Sequence, residues 1–270
     1  MSGGSAPSAA AFGLGRLRDG LGSPALAASA GAALVLGVLL AARLATAWSR
    51  RKLRLAAAAY EPPASAAGRH FVVLVNPNAG AGEGKYVYED VIAPMLAKAR
   101  VSHDVVFTIG PGHARKVAAA VASGNTAGVV SGSGRMGDPR LRDVVFSSKR
   151  CECVVSASGD GMLHEVFNGV MEGAAVGPPA AKVHNGMEVK RRSPRLSAES
   201  SGPRVPLPVS VVPVGSGNGV AASLFGRGHT AVSALAQIIG GKSTPIDVMQ
   251  LSYEGDDEAV KTYDLHFFCW

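Results

Sequence analysis

Carboxylates are almost missing from the start of this 270-residue chain: Asp19 and Glu61 are the only two before Pro63. Between Leu21 and Ala42 there is no charge of either sign, and about 20 apolar residues suffice to cross a bilayer. Arg43 and then Arg50-Arg51-Lys52-Leu53-Arg54 follow at once. By the positive-inside bias they would leave everything downstream in the cytosol. A membrane-associated protein with its folded part facing the cytosol is therefore expected. Two other readings fit the same residues. Alanine is only mildly hydrophobic, so the segment could lie on a surface as a helix. An Arg- and Ser-bearing, acid-poor N-terminus is also the composition of an organellar transit peptide. Cysteine is scarce too. Cys151, Cys153 and Cys269 include one Cys-x-Cys without a second pair, too few for a disulfide framework or a closed zinc site. Reduced thiols in a cytosol-like compartment are expected. Apolar residues, at 47%, are too many for a disordered chain. The net charge of +7 permits anionic partners: nucleotide phosphates, acidic lipids or nucleic acid.

Residues 1–68 thus read as an Ala/Gly-rich segment holding the candidate span 21–42, and a folded region begins just after it. Phe71 to Val75 is a continuous apolar run, as in a strand buried on both faces of a parallel sheet. "YVYEDVIAPMLAKAR" then reads as a helix, "SHDVVFTIG" as a strand and "GHARKVAAAVASG" as a helix ended by Gly124. "AGVVS" and "CECVVSAS" are strand-like. "GMLHEVFNGVME" is helical, with Met162, Leu163, Val166, Phe167, Val170 and Met171 on an apolar face. "PVSVVPV" is a strand and "NGVAASLFG" a short helix. This alternation predicts an α/β fold with a Rossmann-like, mainly parallel sheet over residues 69–246. Two insertion loops, about 131–150 and 173–207, interrupt it; the second carries the basic, Ser-Pro-bearing "KRRSPRLS". From 247 to 270 the sequence turns strand-like, as if a β-rich second domain were beginning.

Three glycine turns follow three of these strands. The first runs from Asn76 through Pro77, Asn78 and Gly80 to Lys85, and it is not a P-loop: Ala79 and Tyr86 stand where that motif needs Gly and Ser or Thr. The second is Ser158-Gly159-Asp160-Gly161, and the third Gly215-Ser216-Gly217-Asn218-Gly219. In an open α/β sheet such turns lie at the carboxyl ends of the strands and can converge on one crevice. Glycines let backbone N–H groups approach phosphate oxygens closely, so three such turns point to a nucleotide site.

"VNPNAGAG", "SGDGMLHEVFNGV" and "VVPVGSGNGVAASL" resemble the lipid kinase superfamily of diacylglycerol, sphingosine and ceramide kinases. The His-Glu-Val-x-Asn-Gly continuation after the second turn is nearest to sphingosine kinases, as is "TIGPGHARKV" with Thr108, His113 and Arg115. The likeness covers roughly Phe71 to Asp247. It implies an ATP-binding α/β domain followed by a β-sandwich that supplies the lipid pocket, incomplete here. It also implies Asp160 as general base, with Asn76, Pro77, Asn78, Gly80, Thr108, Ser158, Gly159, Gly161, Glu165, Gly215, Ser216, Gly217 and Asn218 binding nucleotide. ATP and Mg2+ are the implied cofactors, with no residue assigned as a metal ligand. The implied partners are a sphingosine-like lipid and a membrane surface, not nucleic acid, and a homodimer is compatible with them.

The chemistry fits the residues. Phosphoryl transfer is mostly positioning and charge neutralisation, yet an acceptor hydroxyl must lose its proton to a nearby base. A carboxylate on a glycine turn beside the γ-phosphate can take it, while Gly159 and Gly161 keep side chains out of the way. The bland alternative for Asp160 is an N-cap on a helix beginning at Met162, worth about 1 kcal/mol. His164 is expected to be packed or hydrogen-bonded, Lys85 solvated, Glu165 and Asn168 to share a polar face, and Asp247 to sit at a structural hinge. Two competing functions remain. One is a truncated nucleotide-binding module without catalytic output. The other is a dinucleotide-dependent oxidoreductase, because Gly132 to Gly137 spells Gly-x-Gly-x-x-Gly; Pro139 argues against it by delaying any helix until after the glycines.

Overall fold

The computed structural model describes residues 24–135, 138, 140–174, 189–190, 207–241, 243–253 and 263–269. The chain forms two compact units, Met1–Lys52 and Leu53–Trp270. A long helix, α1 (Pro24–Ala59), begins in the first and ends in the second. Alanine and leucine, both strong helix formers, dominate its sequence. Residues Gly31–Ala59 have a mean hydropathy of 1.7 and bury none of their most apolar window, and among the described residues this is the one helix long and apolar enough to cross a membrane. Its exposed side chains include Leu34, Leu39 and Trp48. Of the predicted span 21–42, residues 21–23 lie outside the described residues, and the remainder is helical.

The second unit is built on β1 (His70–Val75), buried along its whole length. A broken helix follows: α2 (Gly84–Val87), one wide π-turn over Tyr88–Ile92, and α3 (Ala93–Lys98). Pro94 explains the wide turn, since it has no N–H to donate to the preceding turn and its ring crowds that turn's carbonyl. Then come β2 (Ser102–Phe107), α4 (His113–Ser123), a hairpin of β3 (Val130–Gly132) and β4 (Leu141–Asp143), and β5 (Cys153–Ser158). After α5 (Asp160–Gly173) come β6 (Val189–Lys190), β7 (Val209–Pro213), α6 (Gly219–Phe225) and α7 (Ala231–Gly240). The last described strands are β8 (Asp247–Tyr253) and β9 (Tyr263–Cys269).

The main sheet has the order β2-β1-β5-β7, and every pair in it is parallel. The order reverses about β1, so right-handed crossovers place α3 and α4 on opposite faces. The side chains of β1 alternate to match. Phe71, Val73 and Val75 pack with Ile92, Met95 and Leu96 and with Leu235 and Ile239 of α7. Val72 and Leu74 pack with Val117 of α4 and with Val166 and Val170 of α5. Each such fully buried side chain contributes about 1.5–3 kcal/mol of transfer free energy.

Several expectations change. "AGVVS" does not join the parallel sheet; its Val130–Gly132 pair antiparallel with β4. The hairpin flanks the exposed edge of β2, where the Phe107 N–H donates to Ser131 Oγ at 2.9 Å and the Ser147 N–H to Asp104 Oδ2 at 2.9 Å. Part of the predicted loop 131–150 is thus edge protection. The Gly-rich stretch from Gly132 begins in this hairpin, not in a strand-to-helix turn, which removes the basis of the dinucleotide reading. Helix α7 was not anticipated, although a capping box between Thr230 and Ser233 opens it and Gly241 closes it. Asn168 is buried, not on a polar face with Glu165, and its Nδ2 donates back to the His164 carbonyl at 2.8 Å. Met171 is only half-buried. Most of the 173–207 loop, "KRRSPRLS" included, lies outside the described residues; β6 within it pairs with β8 in a second, antiparallel sheet that also holds β9.

Candidate active site

At the carboxyl ends of β1 and β2 lies a cleft of about 260 Å³ lined by Asn76, Asn78, Thr108, Gly110, Pro111, Met162 and Glu165. Each side chain is there for a local reason. Asn76 ends β1 and closes an Asx turn, its Oδ1 accepting the Asn78 N–H at 2.9 Å. Thr108 ends β2 and donates to the Val75 carbonyl at 3.3 Å, which ties the two strand ends together. Glu165 projects from the second turn of α5. The loop from Thr108 to Gly112 is held by His113, whose Nδ1 accepts the Ile109 N–H at 3.4 Å. Burial lowers the His113 pKa, Lys116 adds to this, and Glu165 opposes it. The imidazole is therefore neutral, as its acceptor role requires.

The second and third glycine turns form a separate, interlocked pair beside this cleft. A Cβ on Gly159 would meet the Gly217 carbonyl at 2.7 Å, and one on Gly215 would meet the Gly159 Cα at 2.5 Å, so both positions need glycine for close backbone approach. The Asp160 N–H donates to the Gly217 carbonyl at 3.1 Å. Its carboxylate then accepts the Gly219 N–H at 2.7 Å and the Val220 N–H at 3.1 Å. This corrects the capping alternative: α5 begins at Asp160 itself, its N-cap Gly159 makes no side-chain cap, and Asp160 caps α6 instead. One carboxylate joins the turn after β5 to the turn after β7.

The predicted residues thus fall into two groups. Asn76, Asn78, Thr108 and Glu165 share the cleft. Gly159, Asp160, Gly161, Gly215, Ser216, Gly217 and Asn218 form the interlocked turns, and a Cβ on Gly80 would touch the Val214 carbonyl just before the third of them. Gly161 faces open space. Pro77 is buried. The Ser158 hydroxyl is fully buried against Ser156 Oγ at 2.7 Å and donates to the Gly159 carbonyl, so it points into the sheet. Asn218 donates to the Gly215 carbonyl at 2.5 Å, leaving its buried Oδ1 without a partner. Lys85 pairs with Glu89 at 3.6 Å. Gly110, Pro111 and Met162 were missed as cleft residues: Met162 read as core, and "GPG" after a strand was the available sign of the loop.

These features define a Rossmann-like α/β domain with its crevice where such domains place their ligands. A profile of the diacylglycerol kinase catalytic domain matches residues 70–137 and 141–251, and the chain belongs to that family. It is 27% identical over 187 residues to sphingoid long chain base kinase 4 of Schizosaccharomyces pombe, a match covering 69% of this chain and 30% of the relative. It is 26% identical over 185 residues to ceramide kinase of Mus musculus, covering 68% and 28%. It is 27% identical over 153 residues to sphingosine kinase 1 of Homo sapiens, covering 57% and 27%. The chain therefore spans less than a third of the length of these relatives.

Proposed function

We propose that this chain carries the nucleotide-binding and phosphoryl-transfer part of an ATP-dependent lipid kinase, with the primary hydroxyl of a sphingoid long-chain base as acceptor. The observation that carries the reading is Asp160: a turn-borne carboxylate fixed between two glycine turns, beside a cleft of polar strand-end residues. Family membership and the names of the relatives support a lipid acceptor. In this reading residues 69–246 are the catalytic domain, 247–270 begin the lipid-binding domain, and α1 holds the protein to a membrane with that domain in the cytosol.

The residues fit ATP. The cleft offers amide and hydroxyl groups from Asn76, Asn78 and Thr108, and Glu165 is placed to accept from a sugar hydroxyl. The buried, unpartnered Asn218 Oδ1 marks a polar position in the third turn that a further donor would complete. No group of three His, Cys, Asp or Glu side chains converges among the described residues, so Mg2+ would arrive on the nucleotide, with Asp160 or Glu165 as the nearest carboxylates. Bound there, ATP with Mg2+ supplies the transferable phosphoryl group and neutralises its charge. Asp160 spends two acceptor sites on α6 of the roughly four a carboxylate has, which leaves room to accept a hydroxyl proton. The α6 amides fix its orientation before the acceptor arrives.

The test is transfer from γ-labelled ATP with Mg2+ to sphingosine, ceramide and diacylglycerol in parallel, with Asp160→Asn beside the unaltered chain. Label is expected on sphingosine, falling at least a hundredfold in the variant. Because Asp160 also caps α6, the variant is expected to lose about 1–2 kcal/mol of stability, so it must be melted in parallel and assayed below its transition. Label on ceramide or diacylglycerol alone would move the substrate assignment. ATP binding with no labelled lipid would favour the second reading, a nucleotide-binding module, which the short coverage of the relatives motivates.

A further inference from the structure

Beside the cleft, the β3–β4 hairpin and the loop after β2 present apolar side chains to solvent: Leu141 is 54% exposed and Ile109 51%. Gly132 explains why they stand together. It pairs with Leu141 in the hairpin register, and a Cβ on Gly132 would meet Ile109 Cγ2 at 3.1 Å. Paired residues of antiparallel strands point to the same face, so Leu141 and Ile109 flank the side chain that Gly132 lacks. Pro111, also exposed, lines the cleft from the same loop. Arg135, Arg140 and Arg142 are exposed around this apolar face. Arg140 is held by Asp138, and residues 131–150 carry five basic and two acidic side chains.

We propose that this face docks on an anionic lipid bilayer, with Ile109, Pro111 and Leu141 entering the headgroup region and the arginines on lipid phosphates. Three exposed apolar side chains are too few to make the core of a stable protein interface. An apolar tip ringed by arginines suits an interface that is apolar below and negatively charged above. The apolar stretch of α1 ends within a few residues of Leu53, where the second unit begins, so insertion of α1 would hold that unit near a bilayer in any orientation. The inference rests on the lipid-kinase reading for its purpose: docking here brings the cleft to the phase that holds the acceptor.

The full chain is labelled with an environment-sensitive fluorophore at Leu141→Cys, and separately at Ser123→Cys at the end of α4. Both carry Cys269→Ala; the buried Cys151 and Cys153 do not take label. Vesicles are phosphatidylcholine alone or with about one-third phosphatidylserine, with nitroxide lipids as quenchers. With anionic vesicles, the label at 141 is expected to shift to the blue and be quenched, and the label at 123 to do neither. Arg135→Glu with Arg142→Glu is expected to weaken the anionic-vesicle signal at least tenfold, from about fivefold for each basic residue removed. A label at 141 as water-exposed as that at 123 would overturn the proposal. So would a blue shift without vesicles that grows with protein concentration, since that marks a protein partner. Flotation with neutral vesicles tests the α1 anchor separately, and no arm requires transfer activity, so an inactive chain still answers.

Discussion

Gly159 and Gly161 flank the same carboxylate, yet the structure gives them opposite tasks. Gly159 is clamped by the Gly217 carbonyl, whereas a Cβ on Gly161 meets nothing within 4 Å. Gly159→Ala must therefore push the third turn away from Asp160, an overpacking cost of about 1–3 kcal/mol together with loss of the α6 cap. Gly161→Ala adds a helix-favouring residue to the first turn of α5 and is expected to keep or slightly raise the melting temperature. If the space beside Gly161 is where the acceptor approaches, Gly161→Ala will also lower transfer at least tenfold while nucleotide affinity holds. Melting curves and single-turnover transfer on both variants separate the two roles; full activity in Gly161→Ala would show that its small size is not used. The sequence marked both positions as glycine, but only backbone-to-backbone proximity of two turns more than fifty residues apart distinguishes them.

Helices α4 and α5 meet more closely than ordinary side chains permit. Gly169 of α5 lies against the Arg115 carbonyl, and its missing Cβ would sit 2.9 Å from Ala118 Cβ; Gly173, one turn on, faces the Ala119 carbonyl and Ala122. Arg115 Nε and Glu172 join the same pair of helices at 2.8 Å, an exposed ion pair of small worth. Gly169→Ala is expected to destabilise the domain by about 1–3 kcal/mol in chemical denaturation, because α4 must retreat from the sheet face it covers. Unchanged stability would mean the helices can slide apart freely. This scale also shows where sequence patterns sufficed. The strands of the main sheet were legible because β1, β5 and β7 carry apolar runs that only a doubly covered sheet can bury. The helix after β5 was legible from its 3.6-residue stripe. What escaped depended on neighbours. "AGVVS" has the apolar run of a core strand but is used on the edge of β2, and Asn168 has the polarity of a surface residue but finds its partner one turn back. The cleft residues at strand ends were legible by position, whereas Met162 was not, since its register marks it equally as core.

Over the whole second unit, two histidines tie stability to pH in one direction. Burial lowers the His103 pKa from its ordinary value near 6.5, a neighbouring His70 adds to this, and Asp104 opposes it; Tyr88 Oη lies 3.0 Å from its Nε2. Burial lowers His113 likewise, and the cleft loop hangs on its unprotonated Nδ1. In the unfolded chain both imidazoles take up protons as pH falls past about 6.5, while in the folded chain they resist until lower pH. Their stabilisation is therefore complete above that value and is lost progressively as pH falls through the lowered folded values. Carboxylates begin to titrate only near pH 4, which leaves a window between about 6.5 and 5 in which these histidines dominate the slope. The melting temperature is expected to fall across that window, and the double variant His103→Gln, His113→Gln to show a flatter profile there. His113→Gln alone should also decouple nucleotide affinity from pH, since glutamine offers the Ile109 N–H an acceptor that does not titrate. Parallel slopes for the variant and the unaltered chain would place the pH sensitivity elsewhere and remove His113 as the residue that holds the mouth of the cleft.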